Sequence, residues 1–137
     1  MTALGVRNNN PWNLQQEHIP WLGLKLEIEP ETGELIFDTP ADGIRAGFKL
    51  CFTYQERGLN TPKLFITTFS PAKAGNPTAQ YIENVCTWTG YTSDQILNFH
   101  DTTTAINFAK AIFRQEDGLP NFTDDQILSG YAMAKGD

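Results

Sequence analysis

One carboxylate in this chain sits where acid chemistry can be done. Residues 102–118, TTTAINFAKAIFRQEDG, carry Ala105, Ala109, Ile112 and Phe113 at helical spacing. The next position on that face is Glu116, so an acid continues an apolar stripe at the negative end of the helix dipole. Desolvation and dipole both favour the neutral carboxyl, the form that protonates a leaving group. The competing expectation is a frayed helix end, with Glu116 solvated beside Asp117. A second group of residues suits a sugar. Residues 7–14, RNNNPWNL, are polar, broken at Pro11 and rich in asparagine. Asparagine tolerates the left-handed region and bonds its own backbone, so an ordered loop is expected. Asn9, Asn10 and Asn13 offer amides to hydroxyl groups, and Trp12 offers a flat face to a sugar ring. Equally, the loop is structural and Trp12 plugs the core.

The elements that must position these groups follow from pattern. Asp101 or Thr102 caps the Glu116 helix, and Gly118 ends it in a left-handed turn. Leu24, Leu26 and Ile28 alternate with charged residues. A turn at Pro30-Glu31-Thr32-Gly33 leads to Leu35 and Phe37, which completes a hairpin. Thr39-Pro40 opens a helix to about Arg57 with Ile44, Phe48, Cys51 and Phe52 on one face. Gly43 and Gly47, one turn apart, permit close approach of another backbone. Thr61-Pro62 starts a short helix with Leu64, Phe65 and Phe69 apolar. Residues 70–77 form a loop, and Thr78 caps a helix to Thr89 that Gly90 closes. Thr92-Ser93-Asp94-Gln95 and Thr123-Asp124-Asp125-Gln126 are capping boxes, each predicting a helix. The expected class is α+β, mostly α: one domain over 1–137, of five to six short helices and one small β-hairpin lobe.

Composition narrows the function. The 137 residues fit one core, at 40% hydrophobic and 12% aromatic content. The net charge of −6, without any Lys/Arg cluster, argues against nucleic acid and against anionic surfaces. Residues 1–12 hold no apolar run of signal-peptide length, and no stretch is long enough to span a membrane. Cys51 and Cys86 lie in apolar helical patterns, which predicts buried free thiols. His18 and His100 have no metal-ligand spacing, so neither a metal nor a cofactor is expected.

RNNNPWNL, then Trp21-Leu22-Gly23, Phe37-Asp38-Thr39-Pro40 and GIRA at 43–46, resembles a phage and prophage group. Its members open with R-N-N-N-P-G-N-[I/L] and are described as virion structural or lysozyme-like proteins. Pro-Thr-x-x-Tyr-Ile-x-x-Val at 77–85 and an acid-Gly pair near the C-terminus extend the resemblance over nearly the whole chain. A second resemblance is to bacterial glucosaminidases of the flagellar and autolysin type, on a lysozyme-like fold. Those carry a catalytic helix ending in A-x-x-E-S-x-x-G. An N-N-L-F-G-I loop, W-x-G, a hairpin, F-x-x-Y-x-S and later G-Y-A-T-D follow it. Here Asn9 to Leu14, Trp21-x-Gly23, the hairpin, Phe37-Asp38-Thr39-Pro40 and Gly90-Tyr91-Thr92-Ser93-Asp94 keep that order. The helix at 111–118 resembles the catalytic one but stands at the back, which implies a circular permutation, a change that neighbouring chain ends tolerate. The chain departs from these patterns in four places. Trp12 replaces Gly, and Phe69-Ser70-Pro71 replaces W-A-P-P. Gly75 stands where the phage group has Glu, and Asp117 where autolysins have Ser.

The resemblance implies a virion-associated peptidoglycan hydrolase, a general-acid glycosidase or lytic transglycosylase acting on glycan strands during phage genome delivery. Glu116 is then the acid, and Asn9, Asn10, Trp12, Asn13 and Tyr91 bind substrate. Asp38 is the choice for a second acid, if one is used, or else caps its helix; Trp21 lines the cleft or packs under the hairpin. The implied partners are peptidoglycan and other virion proteins. The implied location is the virion, the protein being made in the host cytoplasm without a signal peptide and acting at the cell wall. The alternative is a non-catalytic capsid or tail structural protein that retains a lysozyme-like fold, with Glu116 exposed or paired to Arg114 or Arg45.

Overall fold

The computed structural model describes residues 3–15, 21–30, 33–118 and 122–136, with 26–28 described by backbone alone. Expectations for His18, for turn residues Glu31 and Thr32, and for the facing of Leu26 and Ile28 lie outside the described residues. The fold is α+β and mostly α, as expected. Six α-helices are found among the described residues: α1 (Leu4–Arg7), α2 (Pro40–Glu56), α3 (Pro62–Phe69), α4 (Thr78–Thr89), α5 (Thr102–Asp117) and α6 (Asp124–Gly136). Strands β1 (Leu24–Ile28) and β2 (Leu35–Phe37) pair antiparallel, with Leu24 opposite Phe37 and Ile28 opposite Leu35. The chain divides into two compact units, residues 1–49 with 116–137, and residues 50–115.

In the first unit, three close approaches are made possible by missing side chains. A Cβ on Gly43 would stand 1.7 Å from the Asn9 carbonyl oxygen, and one on Gly47 would stand 2.1 Å from the Trp12 indole. The pair one turn apart on α2 therefore admits the asparagine loop, as its spacing predicts. On α6, a Cβ on Gly130 would meet Ile44 at 2.4 Å. Trp12 is fully buried, edge-on to Phe48 at 5.3 Å, and Phe48 is edge-on to Tyr131 at 4.9 Å. Leu35 and Phe37 bury the inner face of β2. The Thr123 box closes in both directions: Gln126 N donates to Thr123 Oγ1 at 3.1 Å, and Thr123 N to Gln126 Oε1 at 2.9 Å.

The second unit is organised on Phe65, which meets Tyr54, Phe69, Phe99 and Phe108 within 5.6 Å. Such rings stabilise beyond area burial when tilted or edge-on, as most of these are. Thr61 caps α3 by accepting from Leu64 N at 3.1 Å. Leu64 itself is turned outward, and Ile66 is buried in its place. Thr78 is the first residue of α4 rather than its cap, and its hydroxyl donates to the Ser70 carbonyl. Arg114 lies 4.2 Å above the Trp88 ring. Cys51 is buried and Cys86 half-buried, both as free thiols.

The helix predicted from Thr92 does not form. Gln95 Oε1 does accept from Thr92 N at 3.2 Å, but no helix follows. Leu97 and Phe99 are buried two residues apart while Ile96 and Asn98 are exposed, which demands an extended course. Asn60 fixes it, its carbonyl accepting from Leu97 N at 2.7 Å and its Nδ2 donating to the Leu97 carbonyl at 2.8 Å. Gln55 Oε1 then accepts from Phe99 N at 2.7 Å. Tertiary burial overrides the local box.

Candidate functional site: a carboxylate cluster at the end of α5

Helix α5 starts on Asp101, whose Oδ2 accepts from Thr104 N at 3.0 Å. It stops at Gly118, where φ is +87°, the left-handed conformation expected of that residue. The apolar stripe places Ala105, Ala109, Ile112 and Phe113 inward, together with Phe108 and Ala111. The last turn delivers Glu116 and Asp117 into the first unit.

Glu116 is half-buried and held by the asparagine loop. Asn13 Nδ2 donates to Glu116 Oε1 at 2.8 Å and reaches the Glu116 carbonyl at 3.4 Å, across 103 residues of sequence. Asn13 can do this because it adopts φ +52°, and Asn9 adopts φ +53°; both take up the left-handed freedom predicted for this loop. Asn13, a member of the expected substrate-binding set, therefore contacts the expected acid.

The others have structural partners. Asn10 is fully buried; its Nδ2 donates to the Leu14 and Leu35 carbonyls, each at 3.0 Å, and its Oδ1 accepts from Leu14 N at 3.0 Å. Asn9 Nδ2 donates to the Phe37 carbonyl at 3.0 Å. Trp12 Nε1 donates to the Ile44 carbonyl at 3.2 Å, and with no surface exposed it offers no face for stacking; it fills the core, the second of the two expectations for it. Tyr91 belongs to the second unit, where its backbone N–H donates to Thr89 Oγ1 at 3.1 Å. Trp21 is half-buried. Asp38 is exposed, 3.9 Å from Lys25, and Thr39 forms the cap of α2 by accepting from Asp42 N at 3.2 Å.

Two further acids join Glu116. Burial, then Glu116, then Glu34 push the Asp117 carboxyl up to about 8. Both of its oxygens are buried and neither has a hydrogen-bond partner among the described residues. Its place on the last turn of α5 adds the negative helix end to the same side of the balance. Glu34 lies just before β2; burial first, then Glu116 and Glu29, raise its carboxyl above the ordinary range. Glu29 is buried and pairs with Arg7 at 2.8 Å. Sequence spacing had singled out Glu116 alone. Asp117 is its sequence neighbour, and Glu34 stands between the 30–33 turn and Leu35 with no spacing that relates it to Glu116. The available signal was Gly5: a Cβ there would stand 2.0 Å from Asp117 Oδ1, so the glycine makes room for the acid.

These features define a mostly helical α+β protein with a partly buried carboxylate cluster where a helix end, a hairpin and an asparagine loop meet. The chain belongs to the family of a phage protein. Over 134 residues it is 34% identical to Protein P5 of Pseudoalteromonas phage PM2, an alignment that covers 94% of this chain and 80% of that protein. No protein-family model matches the chain. No helix among the described residues is long and apolar enough to cross a membrane.

Proposed function

We propose that this is a virion-associated peptidoglycan hydrolase that cleaves the glycan strand during phage genome delivery, on a circularly permuted lysozyme-like fold. The observation that carries the reading is the bond from Asn13 to Glu116. In the autolysin-type pattern the asparagine loop directly follows the catalytic helix. Here it precedes that helix by most of the chain, yet it holds the acid at the helix end, as a permuted chain requires. The phage relative supports a virion context, with other virion proteins as partners.

Glu116, once protonated in the substrate complex, donates its proton to the glycosidic oxygen as the bond from C1 to that oxygen breaks. The oxocarbenium-like centre is then closed in one of two ways. Water attacks C1 and loses a proton to a carboxylate, for which Glu34 is better placed than Asp38 by its coupling to Glu116. Otherwise the sugar's own hydroxyl attacks C1 and returns its proton to the Glu116 carboxylate, as in a lytic transglycosylase.

A second reading has its own support. Trp12 and Asn10, assigned to sugar binding by the resemblance, are spent inside the core. That favours a capsid or tail structural protein without chemistry. Digestion of peptidoglycan by the wild type beside Glu116→Gln, with fragments identified by mass, separates the two. The hydrolase reading expects fragments from the wild type alone, with anhydro ends for a transglycosylase and reducing ends for a hydrolase. Absence of fragments from both proteins across several wall types leaves the structural reading.

A further inference from the structure

Three oxygens converge above Gly5. Measured from the point where a Cβ on Gly5 would stand, Asp117 Oδ1 is at 2.0 Å, Asn13 Oδ1 at 2.8 Å and the Asn10 carbonyl oxygen at 2.9 Å. The Asn10 oxygen already accepts from Asn13 N at 2.9 Å. The Asn13 and Asp117 oxygens are buried and have no hydrogen-bond partner among the described residues. Turning the Asn13 amide over does not resolve this, because its nitrogen faces the Glu116 carbonyl, which can only accept. Buried acceptors crowded together without a donor are costly, and among these three groups only the Asp117 carboxyl can take up a hydrogen.

We propose that Asp117 is a proton-bearing positioning residue: its carboxyl O–H donates to Oδ1 of Asn13 and so fixes the amide whose Nδ2 holds Oε1 of Glu116. The charged groups around it favour that state. Glu116 adjoins it on α5, Glu34 approaches from the start of β2, and Glu29 lies behind Glu34 with its charge met by Arg7 of α1. Loss of the proton sets a carboxylate against the Asn13 oxygen, which turns the amide away and frees Glu116. The functional consequence rests on the reading of Glu116 as the general acid; the hydrogen-bond relay itself does not.

The test follows the side-chain amide signals of Asn13 by NMR in the full-length protein from pH 5 to 10. Wild type, Asp117→Asn and Glu116→Gln are compared, with wall digestion run in parallel. The expected result is a transition of the Asn13 amide with a midpoint near about 8 in the wild type. It should move lower in Glu116→Gln, where a raising charge is gone, and be absent in Asp117→Asn, whose amide donates at every pH. Digestion by the wild type should fall about tenfold across the midpoint, while Asp117→Asn stays active to higher pH. Asp117→Ala, which lacks the donor, should be slowed in kcat at every pH. An Asn13 amide that shows no such transition, in a wild type that digests walls, overturns the relay and leaves the hydrolase reading standing. A titrating amide in a protein that releases no fragments supports the relay and overturns the hydrolase. A transition abolished by added calcium would put a cation in the proton's place and overturn the relay.

Discussion

Replacing Asp117 by asparagine should stabilise the protein, by an amount that grows as pH rises from about 4 to about 8. The native carboxyl holds its proton to about pH 8, whereas the unfolded one releases it near 3.8. Between those values the native state binds a proton that the unfolded chain lacks, so each unit of rising pH favours unfolding by about 1.4 kcal/mol. Taken at face value, the loss from pH 5 to pH 9 is about 4 kcal/mol. Asp117 is half-buried, and solvent screening reduces this to about 2 kcal/mol. Asparagine has the same shape, carries no charge and keeps a donor toward Asn13. Urea unfolding of both proteins at pH 5, 7 and 9 should therefore show the variant gaining on the wild type at each step. Its lead should widen by roughly 2 kcal/mol between pH 5 and pH 9. Comparing the pair removes the pH dependence of every group the two share. A constant difference across pH, or a wild type that gains on the variant as pH rises, would refute a protonated Asp117.

Two other substitutions probe the core and the extended segment. Gly47→Ala drives a methyl group into the Trp12 indole and should cost about 2–3 kcal/mol by urea unfolding, which an exposed, sugar-stacking Trp12 would not produce. Asn60→Ala removes the amide that donates to Leu97 and should cost roughly 1–2 kcal/mol, with faster hydrogen exchange through residues 95–99 as the accompanying sign.

Much of the scaffold was legible because its signals are local. Helix α2 from Pro40, helix α4 from Thr78 and the stop of α5 at Gly118 follow from apolar spacing, proline at a first turn and glycine beyond the last. The Thr92 box failed because Leu97 and Phe99 have burial sites that a helix from Thr92 would not fill on the same face. Glu116 was legible because it continues a stripe. Its companions were not, since Glu29 and Glu34 come from the hairpin, which no periodicity relates to α5, and Asp117 follows Glu116 off the apolar stripe. The loop's left-handed asparagines were readable as chemistry, but their partners were not. Asn10 and Trp12 satisfy the backbone and the core where a sugar was expected.

The first unit is discontinuous in sequence, and this orders its assembly. Residues 50–115 lie between its two parts, and the bond that completes the cluster spans 103 residues. Contacts this remote are entropically expensive to close and form late, so the fold carries a slow step at its acid site. On the ribosome, the asparagine loop emerges long before the end of α5 exists to meet it. The asparagine loop and hairpin wait for this partner while the second unit is synthesised. The bond from Asn13 to Glu116 waits for the end of α5, and the carboxylates meet at that same moment.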